Sequence, residues 1–370
     1  MSQSQPDLYP LRFGEILRNY GFGDRWIVEV FEKEGLPEDH RVAETWEVVD
    51  RPGESSEVIN GPLAGKTLHE ALELYGTRLL GKDVVARTGQ RFPLLIKFLD
   101  ASNPLGEQIH PTDEQAPLFM RGDDPGKTEA WYMLHARPGA TIHCGCKPGL
   151  DRDALVEALK HKASRDCMVE YDVEPGDSFL LYANTMHYSS GGVLFYEIMQ
   201  NSDITVGLNR VPDDPDEMDK AAEEMADWIH LETPFDCRTK QVTITQGANQ
   251  QTYIFACHNF ALERWDLTEP LALSPDGQRF HVYSVVEGHV TLRQGDREER
   301  LVSGNSFLVP AEMTPLRIEP EGEATVLCAY VPDLMANVIE PLRARGIPDA
   351  DIEGLGGVTR LNHLTPLLAE

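Results

Sequence analysis

The chain has 370 residues, 41% hydrophobic and 25% charged, which is ample for two or three domains and ordinary for a globular protein. Its formal net charge of −28 argues against nucleic acid or an anionic membrane as partner, since both need positive surface. No apolar run reaches membrane-spanning length and the opening residues lack the zones of a secretory signal, so the cytoplasm is the expected compartment.

In chain order, the part up to about residue 90 mixes short apolar runs with Gly and Pro punctuation. Within it, Thr67 is placed to cap a short helix with Glu70 at the capping-box position. Phe92 to Leu99 is an apolar run carrying only Lys97, the pattern of a buried strand. Ala130 to His135 and Val193 to Met199 are rich in aromatic and branched residues at strand length. Between them, Asp151 to Lys162 puts Leu155, Ala158 and Leu159 on one helical face. Asp213 to Trp228 is acidic and helical in spacing, predicting an exposed connecting helix. Strand-like segments then return at Gln241–Thr245, His281–Val286, His289–Leu292 and Ser306–Val309. Of the six cysteines only Cys144 and Cys146 are close, which fits structural thiols in a reducing compartment better than a zinc finger.

A short internal repeat joins the two strand-rich regions. Glu174-Pro175-Gly176-Asp177-Ser178-Phe179-Leu180 matches Val302-Ser303-Gly304-Asn305-Ser306-Phe307-Leu308 at its Gly-x-Ser-Phe-Leu core. In that register His187 stands opposite Pro315, so the second unit lacks a histidine there. Many short strands, Gly-rich turns and duplication predict a mainly β protein of two antiparallel β-barrels or sandwiches.

Chemistry concentrates between Gln108 and Glu129, with an echo at His187. Gln108 and His110 are two apart, so on a strand both face one side of a sheet. With Glu129 and His187 they offer two imidazoles, a carboxylate and an amide oxygen, a mixed set suited to zinc and other divalent ions. The residues alone leave a second reading open: a hydrogen-bonded loop pair, an exposed acid and a turn histidine.

The Phe92–Asp100 run, Gln108-x-His110-Pro111, Gly126-Lys127-Thr128-Glu129-Ala130-Trp131-Tyr132 and Gln200-Asn201-Ser202-Asp203 resemble class I mannose-6-phosphate isomerases, most nearly the shorter bacterial form. Trp46–Asp50 and Asn60–Leu68 resemble the N-terminal part of that family, and the likeness spans roughly residues 8 to 210. It implies two cupin-type jelly-roll barrels with a few short helices. It also implies one divalent metal, zinc, on Gln108, His110, Glu129 and His187, and aldose–ketose interconversion of mannose 6-phosphate and fructose 6-phosphate through a cis-enediolate. Lys127 and Arg210 are the candidates for contact with substrate, and no residue is singled out as general base.

The match breaks in two places. The family's Thr-Val-Arg element is Thr205-Val206-Gly207 here, and Arg210, if the strand continued, would face the opposite side. The family's Leu-Ser-x-Gln is Leu105-Gly106-Glu107-Gln108, so a hydroxyl is lost and an acid stands beside the amide. Lys147 is a possible replacement cation. These departures keep alive a relative acting on a different or unphosphorylated sugar, or a non-catalytic sugar-binding cupin. Two histidines and one carboxylate also suit an iron oxygenase, which the extra Gln ligand opposes. The expected organisation is an N-terminal segment 1–93 packed on the first barrel, a catalytic cupin domain 94–210, an acidic helical connection 211–235, a metal-free second cupin domain 236–335 and a tail 336–370. The expected partner is a small sugar or sugar phosphate; oligomeric state is not legible.

Overall fold

A computed structural model describes residues 6–369 apart from 34, 37–40, 121 and 232–234. Residues 1–5, part of the stretch read for a secretory signal, lie outside the described residues. The protein is mainly β, and among the described residues no helix is long and apolar enough to cross a membrane.

Two units each pair a large sheet with a small one. In the first, a six-stranded sheet ordered Ser178–Leu181, Glu129–Ala136, Val193–Gln200, Leu94–Ala101, Glu44–Val48 and Ile16–Arg18 packs on a five-stranded sheet. That smaller sheet runs Met168–Asp172, Thr141–Cys146, His187–Ser189, Gln108–Ile109 and Val206–Gly207. In the second, a seven-stranded sheet centred on His281–Glu287, Ala324–Tyr330 and Ala261–Leu267 packs on a four-stranded one that includes Val290–Gln294 and Leu316–Pro320. All the pairings described are antiparallel. The closed barrels expected from the sequence are not formed by the described strands: no strand order returns to its start. The small sheet of the first unit ends at one edge in a ladder two residues long.

The large sheets bury both faces, which is why their strands read as continuous apolar runs. All of Leu94–Ala101 is buried. Leu99 and Ala101 meet Trp131, Phe179 and Phe195 inside the first unit. Ile96 and Phe98 turn the other way and join Tyr132, Tyr196, Phe255, Leu262, Val282 and Leu327 in a core that fuses the two units. Each fully buried side chain of this kind contributes roughly 1.5–3 kcal/mol.

The repeat is built as the same turn twice. Gly176 and Gly304 adopt φ of +94° and +88°, a conformation glycine enters without strain. The amide of Glu174 donates to the Asp177 carboxylate as that of Val302 does to the Asn305 side chain. Both turns open strands that pair with the next strand of equivalent ladders, Ser178–Leu181 with Glu129–Tyr132 and Ser306–Val309 with His281–Ser284.

Thr67 and Glu70 form the predicted capping box on the helix Leu68–Tyr75. Asp151 caps Arg152–Lys160. The acidic helix, Pro215–Ala226, is not simply exposed: Ala222 and Ala226 are buried with Leu155, Leu159, Ile109 and Tyr188 on the outer face of the five-stranded sheet. The C-terminal stretch likewise belongs to a core, because Val338, Ile339, Leu342, Ile352, Leu355 and Leu364 pack under the second unit. At the other terminus, Leu11–Arg12 pairs with Ser306–Val309 of the second unit while Ile16–Arg18 pairs with Glu44–Val48 of the first.

Candidate metal centre

Gln108 lies opposite His187 in one ladder and opposite Gly207 in the next, and His187 lies opposite Cys144. Residues directly opposite share a face of the sheet, so Cys144, His187, Gln108 and Gly207 form one inward row. The alternate residues Ile109 and Tyr188 point outward into the helical layer. Glu129 opens its strand on the facing six-stranded sheet. Asn184, at φ +64°, turns the chain into His187, and its amide donates to the His110 carbonyl at 2.7 Å. Gly126 is required by space: a Cβ there would stand 2.4 Å from the Thr112 carbonyl carbon, forcing the His110 loop away from Lys127 and Glu129.

The nitrogens of His110 and His187 and an oxygen of Glu129 lie within 4.8 Å of one another, and all three residues are buried. His110 Nε2 is 3.2 Å from Glu129 Oε2, and His187 Nε2 is 3.3 Å from Oε1. Each imidazole is oriented from behind. His110 Nδ1–H donates to the Ile204 carbonyl and His187 Nδ1–H to the Thr185 carbonyl, both at 2.9 Å, which leaves each Nε2 lone pair turned toward the carboxylate. Gln108 reaches the same point, its Nε2 3.0 Å from His187 Nε2. Lys127 Nζ, buried rather than in a solvent turn, forms an ion pair with Glu129 Oε2 at 2.9 Å.

Burial pushes the Glu129 carboxyl up, but Lys127, His110 and His187 override it and hold the group well below the usual carboxylate range. Burial, reinforced by Lys127, brings His110 down to about 4, and burial also lowers His187. The centre is thus an anion between two neutral imidazoles. Among the described residues His110 Nε2 and both Glu129 oxygens make no hydrogen bond of acceptable geometry. Buried polar atoms normally have partners, so three converging atoms without them fit a divalent cation.

Behind the centre runs a charged network that the sequence did not reveal. The Trp131 ring stands edge-on to His187 at 5.5 Å, and its Nε1 donates to Glu197 at 2.8 Å. Lys97 bridges Glu197 at 2.6 Å and Glu44 at 3.2 Å, and Glu44 accepts from Trp46 Nε1. The only signal was a single lysine in an apolar strand.

The candidate substrate residues fall differently. The strand ends at Gly207 and Leu208–Arg210 form a 3-10 turn, so Arg210 does not face away as strand geometry required. A Cβ built on Gly207 would lie 3.4 Å from Arg210 Nε and 3.5 Å from its Cγ and Cδ. Lys147 is exposed and donates to the Asp166 carbonyl. Asn201 of the Gln-Asn-Ser-Asp motif is a brace, its amide donating to the Asp50 and Phe92 carbonyls.

Comparisons with known proteins agree with this architecture. Residues 16–138, which include Gln108, His110 and Glu129, match the model of the phosphomannose isomerase type I catalytic domain. Residues 249–329 match that of the mannose-6-phosphate isomerase cupin domain. Mannose-6-phosphate isomerase ManA of Bacillus subtilis is 28% identical over 294 residues, covering 77% of this chain and 89% of the relative. The mannose-6-phosphate isomerase of Streptococcus mutans is 26% identical, covering 72% and 82%. Among solved structures, the mannose 6-phosphate isomerase from Bacillus subtilis superposes with a TM-score of 0.74 at 24% identity, covering 86% of this chain and 99% of that one. A phosphomannose isomerase variant from Salmonella typhimurium gives 0.70 at 18% identity, and likenesses at these identities speak for the fold. With two family models on either side of the molecule, relatives along most of its length and a shared cupin-like fold, the chain belongs to the type I phosphomannose isomerase family.

Proposed function

We propose that this protein is a metal-dependent aldose–ketose isomerase that interconverts mannose 6-phosphate and fructose 6-phosphate through a cis-enediolate. The observation that carries the chemistry is the buried His110–Glu129–His187 cluster, in which His110 Nε2 and both Glu129 oxygens lack hydrogen bonds. His110, Glu129, His187 and Gln108 would hold the ion, and two imidazoles with oxygen donors favour zinc. When bound, such an ion supplies Lewis-acid stabilisation to sugar oxygens that gain negative charge as the proton moves between C1 and C2. Lys127 keeps a positive charge at the same place and favours the anionic enediolate over the neutral sugar. Trp131 and the paired residues behind it keep His187 in position and water out.

Catalysis is assigned to residues 94–210, with 1–93 packed against them, 211–235 as connection, 236–335 as a second unit and 336–370 as its closing tail. The paired sheets of each unit correspond in this reading to cupin-type jelly-roll barrels. The six described cysteines are all free and buried, which supports a reducing, cytoplasmic compartment.

The test is turnover of mannose 6-phosphate before and after chelation, with zinc added back, beside His110→Ala. Chelation and the substitution should each remove metal and turnover together; full activity in either sample overturns the proposal. Gly207 favours a second reading, a different or unphosphorylated sugar. Higher kcat/KM for free mannose than for its phosphate ester would select it.

A further inference from the structure

On the row Cys144, His187, Gln108 and Gly207, exposure rises steadily from buried His187, through half-buried Gln108 and Gly207, to the edge of the sheet. Gly207 leaves a gap on that row the size of a side chain. Arg210 fills it: its Cγ, Cδ and Nε lie 3.4–3.5 Å from where a Cβ at 207 would be. Arg210 is exposed, and among the described residues its guanidinium pairs with no carboxylate. In a chain of net charge −28, an unpaired cation beside the candidate metal ligands is where an anionic group would settle.

The backbone bend that returns Arg210 to this face has a visible cause. Glu107, buried and adjacent to Gln108, accepts from Asn209 Nδ2 through Oε2 and from Arg165 Nε and Nη2 through Oε1. Its carbonyl accepts from the Leu208 amide at 2.9 Å. Arg165 is in turn steadied on the Tyr188 ring, 4.3 Å away. Glu107 thus grips both residues preceding Arg210 and stops the strand at Gly207.

We propose that Arg210 binds the phosphoryl group of the substrate and that Glu107 is the positioning residue that fixes the turn carrying it. Two strand spacings, about 10 Å, separate the His187 and Gly207 strands. That distance suits a six-carbon sugar phosphate with its carbonyl end at the buried centre and its phosphoryl group at the rim. The inference rests on the site being a sugar-phosphate isomerase, but phosphate binding tests it independently of turnover.

The experiment uses the metal-loaded full chain, with calorimetric titration of inorganic phosphate alongside KM and kcat for mannose 6-phosphate. Arg210→Ala should weaken phosphate binding about 10-fold or more and raise KM while changing kcat less. Gly207 has φ −72° and ψ 129°, open to any residue, so Gly207→Arg placed in the Arg210→Ala background should recover affinity. Glu107→Gln should act in the same direction as Arg210→Ala with bound metal unchanged. Unchanged phosphate affinity and KM in Arg210→Ala overturn the anion site. Wild-type affinity in Glu107→Gln, or loss of its metal, overturns the positioning role. A wild type that turns over no sugar phosphate yet binds phosphate through Arg210 would refute the isomerase reading and keep this one.

Discussion

Two buried glutamates, one from each unit, are treated in opposite ways. Glu263 of the second unit is saturated: Tyr330 donates to Oε1 at 2.6 Å, and Gln251 and Trp265 donate to Oε2 at 2.8 and 3.1 Å. Glu129 of the first unit has an ion pair and two imidazoles beside it, yet neither oxygen is hydrogen-bonded. Their titration follows suit. Burial raises the Glu263 carboxyl despite its three donors, whereas Lys127 and the two imidazoles overcome burial at Glu129 and pull it far down. A buried acid is therefore no mark of function; a buried acid held charged where two imidazoles converge on it is.

Matched substitutions test that contrast most sharply. Glu129→Gln should strip the metal and lower turnover about 1,000-fold or more, while Glu263→Gln leaves kcat near wild type. Equal activity in the two variants, measured with metal content, would erase the distinction. The converse is expected for stability. Glu263→Ala orphans three buried donors and opens a cavity, costing about 3 kcal/mol in denaturant unfolding with activity per folded molecule retained. A loss below about 1 kcal/mol would show that the second interior rearranges freely.

A subtler change reaches the first centre from behind. Trp131→Phe removes the donor to Glu197 and reshapes the wall against His187, and should weaken metal affinity about 10- to 100-fold while the fold persists. Unaltered metal affinity would mean that the Lys97 network serves packing alone. The smallest effect concerns pH. Since the folded pKa of Glu263 is raised, the native state keeps a proton that the unfolded chain releases. The associated stability is full below about pH 4.3 and is lost as pH rises through the folded value. Unfolding free energies from pH 4.5 upward should decline more steeply for wild type than for Glu263→Gln; parallel lines would contradict this.

Much of the site was legible because its residues announce their own geometry. A Gln-x-His pair on a strand must share a face, and the imidazoles and carboxylate stand beside apolar strands that fix them. Strand positions were likewise legible to within about two residues wherever both sheet faces are buried, as at Leu94–Ala101 and Val193–Gln200. The partners of Lys97 were not, since Glu44 and Glu197 come from strands 53 and 100 positions away and only the sheet order joins them. Arg210 was misjudged for a related reason: local pattern extends the strand, and a side chain 102 positions before Asn209, that of Glu107, ends it. The C-terminal segment reads only as a tail because its apolar residues are scattered among Gly and Pro, and the second unit gives them something to cover.

The paired N-terminal strands also carry a consequence for biosynthesis. Arg12 and its partner Asn305 are 293 positions apart, so at 5–20 residues per second the first strand waits roughly 15 to 60 s on the ribosome for its neighbour. Over the same interval the Ile96 and Phe98 face of the first unit has no second unit to cover it. A nascent chain stalled before Ser306 would thus expose both a free edge and a broad apolar sheet, inviting chaperone capture or association with another unfinished copy.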